Sequence, residues 1–457
     1  MRQRIVRLTL VGGVVFLALL LLLATCGGGS SGSGDTGGGD GKGGGSSAGA
    51  TTPAASASAA AKPVPGASGT RTVLNVPPQY TTDSGWEVVG ASPDIAFSWP
   101  TGTLAYLERS ADHRYRVRTL DTATGKLGWR SEARQTLDPE SYPRLLTVSR
   151  EDRQFFVTWS YGTAGDGLAP SETFISLDVY AATNGDRHHV ELPWNGAPAV
   201  SASGPDIVIS DAHANVALID PVTGETSKIA ASELKYPKGC ADCRKLTEVA
   251  GQTSRGLLVS GAREFWVPGG WYSRNVAPKG ADPATGVPTS VAAGLVLAKW
   301  QPEKSSKLAA THELWTVHDA ASGKALVSVA CHRPAIQPGR FPQAVVPPSG
   351  DYLIAGNLAF DLVAKKGYCL EDEDGSSHVT LASVTDDGLA YGARNVRDAD
   401  EALAGGGVPV VMNFVDGSDE PLARNVRLPV AETTGVGIFR TTDRDDRQHL
   451  IGYPRAG

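Results

Sequence analysis

The scarcest chemistry in this chain of 457 residues is its five cysteines. Two stand three apart in "CADC", Cys240 and Cys243, and two more are Cys331 and Cys369. A C-x-x-C pair can exchange electrons as a dithiol, supply half of a four-thiolate zinc site, or close a small covalent bridge. The redox reading lacks the βαβ surroundings of a thioredoxin fold. The zinc reading needs Cys331 and Cys369 as its second half, at loose spacing. "CADCR" is not C-x-x-C-H, so covalent haem is not expected. If the chain is exported, an even number of cysteines after Cys26 is most simply two disulfides.

The other reactive-looking residues lose their chemistry to context. G-x-S-x-G occurs only as "GGSSG" from Gly28 and "GSSAG" from Gly45, both inside a Gly/Ser tract and not on a strand-to-helix elbow. "HELWT" from His312 has Thr316 where a zincin requires its second His. The acidic turns "EDEDGSS" (Glu371–Ser377) and "DRDD" (Asp443–Asp446) lack the alternating ligand spacing of a calcium loop. His188 and His189 are adjacent in an extended run, so they point to opposite faces and do not share an ion. No catalytic residue, metal ligand or cofactor is therefore assigned. The richest remaining segment is "EFWVPGGWYSRNVAP", Glu264 to Pro278, where Trp266, Trp271 and Tyr272 cluster among Gly and Pro. Exposed, these rings would form a candidate binding surface for a sugar, peptide or protein; buried, they would fill the core of an incomplete repeat.

The elements that must carry these residues follow from a repeated turn. "LDTATGKLGW" (Leu120–Trp129), "LIDPVTGETSKI" from Leu218 and "VHDAASGKALVS" from Val317 share D-x-x-[TS]-G, beginning at Asp121, Asp220 and Asp319. The Asp side chain accepts nearby backbone N–H groups, and the Gly takes a positive φ, giving a short hairpin loop between antiparallel strands. Weaker copies begin at Ala181, Asn413 and Asp361, and the gap between Asp220 and Asp319 is long enough for one repeat that has lost its turn. From residue 71 to 457 the chain is short apolar runs rich in Val, Ile, Leu, Tyr, Phe and Trp, separated by turn signals, with no helical periodicity.

A period of about 40–50 residues with four strands per unit is the signature of a β-propeller. The runs group as "IAFSW", "TLAYLE", "YRVRTL" and "KLGWRS", then "RLLTVS" to "RHHVEL", "PAVSA" to "ETSKIA", and an irregular unit around "GLLVSGAREFWV". "SVAAG" to "ALVSVA", "AVVPP" to "GYCLE", and "TLASV" to "EPLAR" follow. The C-terminus supplies only "RLPVA", "GVGIFR" and "HLIGYP", and "WEVVG", Trp86 to Gly90, is the outer strand it lacks. The expected fold is thus all-β: a propeller of eight four-stranded antiparallel blades (seven is the alternative, because the fourth is poorly defined), closed by pairing the chain ends. With Cys331 and Cys369 in the outer strands of consecutive blades and Cys240 about two blades away, the expected bridges are Cys240–Cys243 and Cys331–Cys369.

"LDTATGKLGW", its turn followed by Trp129, resembles the repeat of PQQ-like (quinoprotein-type) propellers, a repeat also found in secreted lipoproteins of Gram-positive bacteria. Quinoprotein enzymes of that kind hold the quinone with a vicinal Cys–Cys disulfide, and this chain has no Cys–Cys pair, so the resemblance implies the fold and not the chemistry.

The N-terminus implies where the propeller sits. Arg2, Arg4 and Arg7 precede a nearly unbroken apolar run from Leu8 to Leu23 and then "LATC". This resembles the lipobox of bacterial lipoproteins: residues 1–25 are read as the signal peptide and Cys26 as the lipidated residue, with an uncleaved signal anchor as the alternative. Residues 26–70 are a Gly/Ser/Ala-rich linker that cannot bury a core, and they hold part of the excess of 54 glycines. Net charge is -6 with no basic stripe, so nucleic acid is not an expected partner. The expectation is a monomer at the extracytoplasmic face of the cell membrane, touching the membrane only through its anchor. It acts as a non-catalytic binding or interaction module for an extracellular ligand or envelope protein. An enzyme on a quinoprotein-like propeller and an envelope assembly or folding factor are the alternatives.

Overall fold

The computed structural model describes residues 70–457 apart from 111, 139–141, 165–171, 241 and 335–340. The expected signal peptide, Cys26 and the expected linker up to residue 69 lie outside the described residues. The described chain forms eight antiparallel sheets, the blades of a propeller. The first blade is Ala91–Ser98, Thr103–Arg109, Tyr115–Asp121 and Leu127–Arg130, in chain order from its inner to its outer strand. The second is Arg144–Arg150, Arg153–Ala164, Glu172–Ala181 and Arg187–Pro193. The fourth, Glu248–Thr253, Gly256–Ser260 and Phe265–Trp266, has three strands, and only the bridge between Trp266 and Tyr272 extends it outward. The sixth is also three-stranded, with a bridge from Val345 to Ile354 on its inner side. Eight, not seven, is the blade count.

Ring closure follows from burial. The central strands are buried on both faces, as in Ile207–Ser210 and Leu358–Asp361, where every residue is buried. One sheet cannot do that alone. The core accordingly divides into eight clusters, each lying between two neighbouring blades. The one that closes the ring joins Trp86, Ile438 and Leu450 of the eighth blade to Leu104 and Leu120 of the first. That eighth blade takes its outer strand, Trp86–Val89, from the other end of the chain: Trp86 pairs with Gly452 and Val89 with His449. Closure in this way leaves only the short outer edges of the blades open.

The repeated turn has a second job. In it Asp121 Oδ1 accepts the Thr124 N–H at 2.8 Å, Asp220 Oδ1 the Val222 N–H at 2.7 Å and Asp319 Oδ1 the Ser322 N–H at 2.7 Å. Gly125 and Gly323 sit at φ +68° and +73°. Against each lies an aromatic ring from the outer edge of the preceding blade. Trp86 Nε1 donates to the Thr122 carbonyl (2.8 Å), Trp129 to Ala182 (2.9 Å) and Trp271 to Ala320 (3.0 Å), and the Tyr368 hydroxyl to Phe414 (2.9 Å). A Cβ on the turn glycine would fall 2.3 Å from Trp86, 2.7 Å from Trp129, 2.5 Å from Trp271 or 2.3 Å from Tyr368. The turn is thus a socket that pins one blade to the next, which gives the repetition a physical reason. Among the described residues helix is confined to Ser273–Val276 and Ala399–Leu403 apart from two 3₁₀ turns, and none of these is long and apolar enough to cross a membrane.

Candidate functional site

The structure brings the two segments singled out above into one corner of the fourth blade. The hairpin after Gly256–Ser260 is closed by the Gly261 N–H on the Glu264 carbonyl (2.8 Å), which fixes Glu264 at the entry to Phe265–Trp266. The connection from the third blade packs its 3₁₀ turn Asp242–Arg244 against this hairpin. A Cβ at Gly261 would meet the Cys243 Cα at 2.8 Å, so glycine is what admits the approach. Cys240 and Cys243 form a disulfide, and Cys331 and Cys369 form the second, tying the outer strands of the fifth and sixth blades. Both bridges are those expected from blade order.

Glu264 is 2 % exposed and sits against the first bridge. Its Oε2 is 2.5 Å from Cys240 Sγ, 3.8 Å from Cys243 Sγ, and accepts the Tyr272 hydroxyl at 2.6 Å. Its Oε1 accepts Arg274 Nε at 2.8 Å and Nη2 at 2.5 Å. A carboxylate removed from water costs several kcal/mol unless paired and hydrogen-bonded. The forked guanidinium and the phenol meet that requirement here. Burial, then the hydrogen bond to Glu264, holds the Tyr272 phenol above its usual range. The same carboxylate raises the Arg274 pKa, chiefly through its hydrogen bond. Arg274 is carried by the single-turn helix Ser273–Val276, whose Ser273 hydroxyl accepts the Phe265 N–H at 3.1 Å.

The aromatic surface expected of Trp266, Trp271 and Tyr272 is corrected. Trp266 is 1 % exposed and donates Nε1–H to the Lys235 carbonyl, and Trp271 fills the socket over Gly323. Only Tyr272 is half-buried, and its hydroxyl is turned to Glu264. The incomplete outer edge of the fourth blade exposes the interblade core unless large rings cover it, so they serve packing. His188 and His189 do face opposite ways: His188 lies under Gly224, and His189 Nδ1 is 2.8 Å from Asp178 Oδ1.

A second feature escaped the sequence. Between the first and second blades a small cleft of about 40 Å³ is lined by Tyr115, Arg116, Arg134, Trp159, Asp178 and Tyr180, among others. Arg116 Nε and Arg134 Nε are buried there without a hydrogen-bond acceptor, 3.6 Å and 3.9 Å from the carboxylates of Glu108 and Asp178, while Arg134 Nη2 pairs with Glu132 at 3.1 Å. Asp178 is already engaged by Arg187 and His189. Burial, then the charge of Asp178, pushes Tyr180 up to about 12, so its phenol stays protonated. The cleft therefore offers fixed N–H donors beside an indole face. In the sequence these arginines look like scattered surface charge; the alternation in "YRVRTL" separates Arg116 from its buried neighbours Tyr115 and Val117 but does not name what it faces across the blade boundary.

No protein-family model matches the chain, and no curated protein matches it. Among solved structures it is similar to the β-propeller domain of Myceliophteria thermophila Cps50 (Swd1), at 11 % sequence identity and a TM-score of 0.37, over 79 % of this chain and 96 % of that one.

Proposed function

We propose that this chain is an extracytoplasmic, lipid-anchored binding or interaction module built from PQQ-like repeats, and that the small cleft between its first two blades seats an oxygen-bearing group of the ligand. The observation that carries this reading is the pair of buried Arg116 and Arg134 Nε–H groups with no acceptor. Buried donors are rarely left unmade, because each costs about 1–3 kcal/mol. A ligand bearing carboxylate or hydroxyl oxygens supplies what they lack, and Trp159 offers it an apolar face. The arginine-led apolar N-terminus ending in Cys26 supports the anchor, and two disulfides suit an oxidising compartment. The module is proposed to work as a monomer, to touch the membrane only at its anchor, and to bind no nucleic acid.

A thermal-shift panel of carboxylated metabolites and glycans tests the site. A ligand at about a hundred times its Kd should stabilise the wild type by about 2.7 kcal/mol, and the Arg116→Ala/Arg134→Ala double variant should lose that shift. Equal stabilisation of both proteins would move the binding site elsewhere. For the anchor, Cys26→Ala should release the protein from membranes or leave its precursor uncleaved. Complete membrane retention at mature size would refute lipidation.

A further inference from the structure

We infer that Cys240 and Cys243, with Glu264 against them, form an exchangeable disulfide that oxidises a dithiol on a partner polypeptide. The inference concerns the fourth blade and does not depend on the cleft between the first two.

Four observations converge. The bridge spans a sequence separation of only 3, inside one connecting loop, so it ties no two elements together. The Cys331–Cys369 bridge spans 38 and joins two blades. The two sulfurs of the short bridge are unequally placed: Cys240 retains 9 % exposure and Cys243 none. Cys240 is thus the less deeply buried sulfur and the one an incoming thiolate meets first, with Cys243 as the leaving and resolving sulfur. The Cys243 N–H donates to Cys240 Sγ at 3.1 Å, a bond that strengthens once Cys240 carries negative charge. Finally, Glu264 sets one carboxylate oxygen against Cys240 Sγ and 3.8 Å from Cys243 Sγ. Near the other bridge stands Glu371, engaged by the His332 N–H and Nδ1, each at 2.9 Å, as Glu264 is by Arg274 and Tyr272.

The step balances without an outside oxidant. One thiol of the partner dithiol loses its proton to Glu264 and attacks Cys240 Sγ. A mixed disulfide forms, the Cys240–Cys243 bond breaks, and its electron pair leaves on Cys243 Sγ. Glu264 then returns the proton to Cys243. The partner's second thiol attacks its own sulfur in the mixed disulfide, and Cys240 departs as a thiolate that takes up that thiol's proton. The partner dithiol has lost two electrons and two protons, and the bridge has gained them. Glu264 acts as base and then as acid, held in place by Tyr272 and by Arg274, whose side chain is 47 % exposed and marks the route to solvent.

The test uses the full-length chain and dithiothreitol as the dithiol, with thiols trapped by alkylation and located by mass spectrometry. Cys240–Cys243 should open first, while tryptophan fluorescence stays native and Cys331–Cys369 stays closed. Cys243→Ser should leave Cys240 as a single thiol that alkylates in the folded protein while Cys331–Cys369 stays closed. Glu264→Gln should slow exchange roughly tenfold to a hundredfold, as expected for loss of an acid–base group. Opening of both bridges together, or only on unfolding, would overturn the inference, and this wild-type measurement stands even if a variant fails to fold. Stoichiometric zinc uptake that protects both reduced thiols and requires Glu264 would overturn it in favour of a metal site.

Discussion

Gly323 and Gly435 hold the same backbone conformation, φ +73°, in two different hairpins. A Cβ at Gly435 would meet nothing within 4 Å; at Gly323 it would land 2.5 Å from Trp271. Alanine at either site costs about 1–2 kcal/mol for the left-handed backbone. At Gly323 it should cost a further 1–3 kcal/mol or so, because the indole must leave its socket or the blades must part. Urea unfolding of Gly323→Ala and Gly435→Ala measures that difference directly, and equal losses would deny the socket any role in holding blades together. The pair also shows where sequence reading stopped. Asp319 and Gly323 act on each other across five residues, so their role is visible in the string. Trp271 acts on Gly323 from the previous blade, and among its own Gly and Pro neighbours it reads as a surface loop. The same limit applies to Glu264: its type is visible, but its contact with Cys240 exists only after the hairpin and the incoming loop have packed.

At the scale of elements, the blades were legible because three local signals agree: apolar runs of strand length, turn residues between them, and a repeat period. Even the division of the eighth blade was readable, since three C-terminal runs lack a fourth and "WEVVG" supplies it. The Cys331–Cys369 bridge was readable for a related reason. Both residues lie in outer strands of consecutive blades, and blade order alone makes them neighbours. The bridge closes a long loop of the unfolded chain, which by chain entropy contributes roughly 3–4 kcal/mol. Less legible were the fourth and sixth blades, each with an isolated bridge where a fourth strand was expected. Pro and Gly in "VPGG" and "VPPSG" break the ladders there, and packing from the neighbouring blades keeps the sheets in the ring without them. The cleft was not legible at all. Its arginines come from separate segments of the first repeat and its Trp159 from the second, so it belongs to a boundary between repeats and to neither of them.

The whole molecule is held by one non-local seam, and that seam is charged. Glu87, on the N-terminal outer strand, is 6 % exposed and faces His449 on its partner strand, with His449 Nδ1 2.6 Å from Glu87 Oε1. His449 Nε2 lies 3.1 Å from Asp443, which also takes Arg447. The Arg71 and Thr72 N–H groups and the Thr72 hydroxyl complete the shell around Glu87. Burial alone would raise the Glu87 pKa, but hydrogen bonds from His449, Thr72 and Arg71 hold it at about 2. Burial would lower His449; its bonds to Glu87 and Asp443 outweigh that and raise it above 6.5. The signs of the two linkages differ. Glu87 is depressed, so its contribution is present above its unfolded value of about 4.5 and is lost as pH falls toward 2. His449 is raised, so its contribution is complete below about 6.5 and is lost as pH rises through its folded value. The seam should therefore be tightest between about pH 4.5 and 6.5. Amide exchange of Trp86–Val89, followed across pH and corrected for the intrinsic chemical rate, should show strongest protection in that window. His449→Gln should remove the loss on the alkaline side while leaving the acid limb. Protection of those four residues that does not vary with pH would mean that packing of Trp86 on Gly125, and not the charged seam, governs closure of the ring.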